Sequence, residues 1–214
     1  NYINAMLKVV SETGAELIIP STDYESYYLA KHQAQFAIPI AASPSEVTFF
    51  CLDKYRNWEA FSKHNIPFAP SVLPSQFKGE FEQYIVKPRE GRGSRGIHMQ
   101  PANVSSFDDT NLVQQLLEGP EITSTIYVLR NGSILGSITM RRELESGNTA
   151  RAEVTKEYDA VIETLAGQMI QAFPFRGSFN IQSKVTSQGI VPFEINCRIS
   201  GTNSIRSQFG FNDV

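Results

Sequence analysis

Residues 84–96 read Tyr84-Ile85-Val86-Lys87-Pro88-Arg89-Glu90-Gly91-Arg92-Gly93-Ser94-Arg95-Gly96, an apolar strand that ends on a lysine and runs into a loop with glycine at three of its last six positions. Glycine lets backbone N–H groups converge on an anion with no side chain in the way. Arg92 and Arg95 add positive charge and Ser94 a hydroxyl donor. A loop that folds over nucleotide phosphates needs these groups. The loop has no Gly-Lys-Ser/Thr ending, so it is not a Walker loop. A return strand, Gly96 to Met99, follows instead of a helix, so it does not match the dinucleotide fingerprint either. A flexible solvated turn, or an Arg-Gly stretch touching RNA, accounts equally for the composition. Lys87 could reach the same phosphates as a point charge, or be an ordinary solvated strand-end lysine. Lys54, just after Asp53 near the start of a helix, has the same two readings.

A second stretch near the far end of the chain carries oxygen chemistry. Pro192-Phe193-Glu194-Ile195-Asn196-Cys197-Arg198 alternates, placing Glu194, Asn196 and Arg198 on one strand face and Phe193, Ile195 and Cys197 on the other. The partner strand opposes Asn180, Gln182 and Lys184 to Phe179, Ile181 and Val185. A turn at Ser187-Gln188-Gly189 would set Gln182 across from Glu194 and Asn180 across from Asn196. Four oxygen-bearing side chains then share one patch, with Arg198 and Lys184 beside it. Hard oxygens next to cations suit a magnesium ion that also binds phosphate oxygens. A polar solvent face of an antiparallel hairpin is the plain alternative, although asparagine in mid-strand is disfavoured. His32, His64 and His98 lie in separate segments and read as structural or solvated. Cys197 reads as packing.

Working outward, Tyr2 to Glu12 predicts a helix ended by Gly14, Leu17 to Ile19 a short strand, and a helix capped by Thr22 or Asp23 follows. Phe36 to Ala42 predicts another buried strand, so the first fifty residues look like part of a parallel α/β unit. Asp53 to His64 is a helix, and Pro67, Pro70 and Pro74 impose an extended connector. Asn111 to Leu117 is a strand. Ile122 to Leu129 and Ser133 to Thr139 flank Asn131-Gly132, a strong hairpin signal. Glu157 to Phe173 is the clearest helix, closed by Pro174. The expectation is an α+β chain with boundaries at 1–50, 51–117 and 118–214. The opening Asn1 suggests an excised region.

Composition sets the outer limits. The chain has 214 residues, 41% hydrophobic, which is enough for a core. A net charge of -3 gives no bulk electrostatic pull toward nucleic acid or an anionic membrane. The apolar run Val47 to Leu52 is far short of the roughly 18 residues of a membrane span. Two cysteines, Cys51 and Cys197, are too few for a disulfide framework and point to a reducing cytoplasm. Oligomeric state has no readable signal, and a homo-oligomer stays open.

The ordered set Asp53-Lys54, Ile85 to Pro88, the glycine loop through Gly96, Val113 to Glu121, and Phe193 to Arg198 with Ser200-Gly201-Thr202 behind it resembles the ATP-grasp superfamily. The likeness is greatest to its branch similar to the large chain of carbamoyl-phosphate synthetase, and it covers nearly the whole chain. It implies two α+β subdomains that grip ATP, preceded by the end of a truncated α/β domain. Carried over by position, the resemblance makes Lys54 and Lys87 phosphate contacts and Gly91, Gly93, Ser94, Arg95 and Gly96 the lid. It makes Gln114, Gln115, Leu116 and Leu117 the adenine-reading hinge and Glu121 the ribose acid. Gln182, Glu194 and Asn196 become magnesium ligands, and Arg198 the arginine that stabilises the phosphoryl group in transfer. Glutamate is commoner in the family at Gln182, a carboxylate at Gln114 or Gln115, and proline at Cys197.

The chemistry so implied is an ATP- and magnesium-dependent ligation of a carboxylate to an amine through an acyl phosphate, mostly by positioning and charge neutralisation. Arg141 or Arg142 could add a cation, although each reads on its own as a solvated strand-end arginine. The loop Glu143 to Thr155 is the expected place of substrate selection. A nucleotide-binding module without independent turnover, and an RNA binder using Arg92 and Arg95, are the competing readings.

Overall fold

The computed structural model describes residues 1–91, 93, 95–145 and 148–213. Its opening unit begins with α1 (Tyr2–Thr13), capped by the Asn1 side chain, which accepts from the Ile3 N–H at 3.0 Å. Helix α2 (Asp23–Lys31) starts on a capping box: Thr22 Oγ1 accepts from the Glu25 N–H, and the Glu25 carboxylate accepts from the Thr22 N–H. Ile3, Ile18, Leu29, Phe36 and Ile40 form a small core between them. The two strands expected here shrink to one parallel bridge, Ile18 to Ile40. Pro20 and Pro39 have no N–H to donate, and a 3-10 turn at Gln33–Gln35 takes up the approach, so no ladder can extend.

Helix α3 (Ser45–Leu52) has no counterpart in the sequence reading. Its apolar residues wrap several sides of the helix, so no single stripe at helical spacing reveals it. Helix α4 (Lys54–Lys63) follows at once, N-capped by Asp53, whose Oδ1 accepts from the Tyr55 and Arg56 N–H groups at 2.9 and 3.3 Å.

A four-stranded antiparallel sheet has the order β1-β4-β2-β3, built from β1 (Ser71–Val72), β2 (Tyr84–Pro88), β3 (His98–Met99) and β4 (Asn111–Gln115). A five-stranded antiparallel sheet has the order β7-β6-β5-β8-β9, built from β5 (Glu121–Val128), β6 (Ile134–Glu145), β7 (Asn148–Thr155), β8 (Gly177–Thr186) and β9 (Gly189–Asn196). Of the stretch expected as a substrate loop, 143–155, residues 143–145 are instead the end of β6 and 148–155 are all of β7. Charged and polar residues suit an exposed edge strand as well as a loop, and the sequence signal does not separate the two. The chain passes between the sheets through Gly119, at φ 125°, where an added Cβ would stand 2.0 Å from the Val185 carbonyl oxygen.

Helix α5 (Asp159–Ala172) buries Ile162, Leu165, Ala166 and Met169 in a core shared with Ile122, Ile126, Phe179, Ile181 and Ile195 of the larger sheet. Val47, Cys51 and Phe61 of α3 and α4 join the same core, and Phe61 stacks on Phe68 with centroids 5.4 Å apart. Beyond the short helix α6 (Asn203–Arg206), the fully buried Arg206 guanidinium binds both oxygens of Asp213 and the hydroxyls of Ser200 and Thr202. Among the described residues no helix is long and apolar enough to cross a membrane.

Candidate active site

The oxygen patch depends on the register of β8 and β9. Gln182 does pair with Glu194, and Asn180 with Asn196. The expected three-residue turn is absent, however. The turn is Ser187-Gln188, with Thr186 opposite Gly189, and that register alone would set Gln182 against Phe193. A β-bulge between Gln182 and Ser183 skips Phe193 and restores the pairing. It also turns Phe193 to the same side as Glu194, so both line one cleft, contrary to the alternation expected for this strand. Asn180 leaves the patch: it is buried, and its Oδ1 accepts from the Thr123 and Thr125 hydroxyls at 2.9 and 3.1 Å.

The cleft lies between the two sheets. Lys54, Lys87, Gly91, Gly93 and Arg95 line one side, the 114–117 segment and Glu121 line its back, and Gln182, Glu194 and Phe193 line the other side. Gly96 is not in the wall; it sits at the lid base at φ 71°, where a Cβ would come within 3.0 Å of the Pro88 ring. Ser94, with Arg92, lies outside the described residues. Asn196 and Arg198 line an adjoining pocket, which shares Lys54, Gly91 and Glu194 with the cleft.

Lys87 and Lys54 are both buried, at 5% and 9% exposure, which removes the solvated strand-end reading of each. Burial pushes the Lys87 ammonium down to about 8, with Lys54 adding to the effect and Glu194 opposing it. The Lys87 Nζ stands 5.6 Å from the centroid of the Phe193 ring. The Lys54 ammonium donates to the Gly91 carbonyl at 3.1 Å and lies 3.9 Å from Glu194 Oε1, so one side chain ties the lid base to the carboxylate. Asp53 adds a second tie: besides capping α4, it takes Arg89 on both oxygens, with Nη2 to Oδ2 at 2.5 Å.

In the 114–117 segment the side chain of Gln114 is turned inward, its Nε2 donating to Ser71 Oγ at 3.0 Å. The N–H groups of Gln115 and Leu116 are bonded to the Pro70 and Gln83 carbonyls, both at 2.9 Å. Glu121 meets Arg142 Nη2 at 2.5 Å and Lys184 at 3.6 Å. Of the two arginines that could add a cation, Arg142 is therefore the one in the cleft, and its solvated strand-end reading falls away. It also donates to Gln182 Oε1 at 2.8 Å, and its Nε is buried with no partner among the described residues. Arg141, next to it, points elsewhere and pairs with Glu157. Neighbouring positions in a strand face opposite ways, and no sequence signal says which of two adjacent arginines turns inward.

Arg198 donates from Nη2 to Asn196 Oδ1 and from Nε to Asp23 Oδ2, both at 3.0 Å. Asp23 lies 175 residues away along the chain, at the first turn of α2, and carried no sequence signal beyond that of a helix cap. Burial raises the Asp23 carboxyl above the usual range, against the pull of Arg198. The histidines are structural or exposed: His64 packs edge-on against Phe173 and His98 against Phe107, each at 4.9 Å. Cys51 and Cys197 are both buried, and Cys197 belongs to the main core. Among the described residues no cluster of three or more His, Cys, Asp or Glu side chains is placed to hold a metal.

Comparison with known proteins follows the same lines. The chain is similar in structure to biotin carboxylase from Campylobacter jejuni, solved as a β,γ-ATP complex, with a TM-score of 0.81 at 14% identity over 99% of this chain and 55% of that one. It is similar to the biotin carboxylase domain of the 2-oxoglutarate carboxylase from Hydrogenobacter thermophilus, solved with MgADP, ADP and bicarbonate, with a TM-score of 0.80 at 16% identity over 98% of this chain and 54% of that one. D-alanine–D-alanine ligase from Bacillus anthracis matches with a TM-score of 0.69 at 15% identity over 96% of this chain and 79% of that one. Identities this low speak for the fold alone, and the chain spans about half the length of the two carboxylases. A comparison with curated proteins finds no match. The model of the ATP-grasp domain family matches residues 51–202, from the end of α3 through both sheets to the loop before α6, and by that match the chain belongs to the ATP-grasp family.

Proposed function

We propose that the protein is an ATP- and magnesium-dependent ligase that joins a carboxylate to an amine through an acyl phosphate. The observation that carries this reading is the single cleft between the sheets, with an uncharged hinge at its back, buried cations along it and a carboxylate–amide oxygen set at its front. A carboxylate attacks the terminal phosphorus of ATP and ADP leaves. An amine then attacks the acyl carbon, inorganic phosphate leaves, and the amine loses a proton.

The residues fit the groups this needs. The Nε of Arg142, buried with no partner among the described residues, belongs to the side chain whose Nη2 meets Glu121 and Gln182, and it suits an anionic or hydroxyl oxygen of a nucleotide. Glu194, Gln182 and Asn196 are hard oxygen donors, and one carboxylate with two amides suits magnesium when phosphate oxygens complete its shell. Magnesium bound there would neutralise charge on the outer phosphates. Each of the three oxygens now contacts a cation: Lys54 at Glu194, Arg142 at Gln182 and Arg198 at Asn196. Phosphates would draw those cations toward themselves and free the oxygens for the ion.

The hinge backbone would read adenine through Leu117, since the N–H groups of Gln115 and Leu116 are already engaged. Lys87 and Lys54 would hold the phosphates, with the 91–96 loop as a lid that keeps water from the acyl phosphate. Arg198 would stabilise the phosphoryl oxygens in transfer. Arg95 in the cleft wall supports a phosphate role for the loop rather than an RNA one.

The test is phosphate release from MgATP with paired carboxylates and amines, run beside calorimetric ADP binding. Release that requires one specific pair supports the ligase. ADP binding with no release from any pair supports a nucleotide-binding module instead, and no ADP binding removes both.

A further inference from the structure

The pocket adjoining the nucleotide cleft has its own chemistry. It is walled by Ser21 to Tyr24 at the start of α2, by Cys51 and Leu52, and by Asn196 at the end of β9 with Arg198 and Gly201 beyond it. Because Lys54, Gly91 and Glu194 belong to both walls, a molecule in this pocket sits beside the proposed metal carboxylate. Four charged side chains line it: Asp23, Lys54, Glu194 and Arg198. Lys54 is spent on Gly91 and Glu194, and Glu194 is assigned to the metal. Asp23 is the carboxylate left over.

Asp23 is half satisfied. Its Oδ2 accepts from the Arg198 guanidinium at 3.0 Å, while its Oδ1 is buried with no hydrogen-bond partner among the described residues. A buried acceptor without a donor is costly, and such orphans in folded proteins call for an explanation. Asp23 lines the pocket, and the carboxylate torsion of aspartate is soft, so a rotation would bring the unpaired oxygen to a ligand there. An ionised carboxylate has room for donors on both oxygens.

We propose that this pocket is the amine subsite of the ligase, with Asp23 receiving the amino group of an amino acid substrate beside Arg198. The inference rests on the ligase reading and adds the class of the amine. A protonated amine needs an anion, and the pocket offers two carboxylates: Glu194, assigned to the metal, and Asp23, one of whose oxygens has no partner among the described residues. A plain cation would also meet Arg198 and Lys54, which repel it, whereas an amino acid brings a carboxylate to match them. The pocket therefore selects a zwitterion over a simple alkylamine. The location is chemically sensible too, since the nucleophile must stand next to the phosphorylated acid and outside the nucleotide cleft.

Calorimetry on the whole chain with saturating MgADP tests this, using the twenty standard α-amino acids, their N-acetyl forms and the D23N variant. Expected is binding of at least one free amino acid, with its N-acetyl form at least tenfold weaker. D23N, which keeps an acceptor for Arg198, weakens the same amino acid at least tenfold and leaves ADP affinity within about twofold. ADP bound but no amino acid bound, or acetylated and free forms bound alike, overturns the subsite. So does unchanged amino acid affinity in D23N. Each of those results leaves the nucleotide reading standing, whereas failure of the wild-type chain to bind ADP removes the ligase reading itself. The acetylation comparison needs no variant, so it decides the matter even where D23N does not fold.

Discussion

Replacing Lys87 with methionine should make the protein more stable and worse at holding a nucleotide. Lys87 is 5% exposed, and its ammonium is lowered from 10.5 to about 8, chiefly by burial. At ~1.4 kcal/mol per pH unit, that drop corresponds to about 3 kcal/mol by which the folded state disfavours the charged form. The sign follows from proton binding. Between pH 8 and 10.5 the unfolded chain holds the Lys87 proton and the folded chain has released it, so stability rises with pH across that window. The cost is fully present below pH 8 and absent above 10.5. Methionine fills similar space without the charge, so Lys87→Met should gain roughly 2–3 kcal/mol at pH 7 and lose the pH-dependent rise. Its ADP affinity should fall about 10–100-fold, the size of one charged hydrogen bond. Urea titrations of both proteins at pH 7 and pH 10 read the first effect, and calorimetry with ADP the second. A variant no more stable at pH 7, or one with the wild-type pH slope, refutes the burial argument; unchanged ADP affinity refutes the phosphate contact.

Gly119→Ala should cost more than about 2 kcal/mol in urea unfolding, because the new Cβ would stand 2.0 Å from a backbone oxygen at φ 125°, and wild-type stability would show that the crossing relaxes easily. Asp53→Ala removes both a helix cap and the partner of Arg89, a loss of about 2–4 kcal/mol. Asp53→Asn retains the cap and should restore about 1 kcal/mol of it, by the same measurement. Glu194→Gln should abolish the dependence of ADP affinity on magnesium while leaving the fold and metal-free ADP binding in place; an undiminished magnesium effect would move the metal elsewhere.

Much of the site was legible because its signals are local. The lysine at a strand end before a glycine-rich loop, the alternation of Glu194, Asn196 and Arg198, and the Asn131-Gly132 turn each lie within a few residues. The register of the last hairpin was legible only by compensation. The turn is one residue shorter than expected, and the bulge at Phe193 makes up the difference. Nothing in Val191-Pro192-Phe193 declares a bulge in advance, though Pro192 lacks the N–H that a regular ladder would use.

The amino-acid sequence by itself determined α4, β2, β4, β5, α5 and the last hairpin of the two-sheet portion, since capping, periodicity and turn chemistry act over one or two turns of chain; the edge strands β1 and β7 carried no such local signal. Only the tertiary structure decided which charges work together. Arg142 rather than Arg141 enters the cleft because β6 pairs with β5 in one register. Asp23 reaches Arg198 because α2 packs on α3 and α3 packs on β9, which brings together segments 175 residues apart. Electrostatic partnership depends on distance and burial in space, and no local pattern in a chain encodes either.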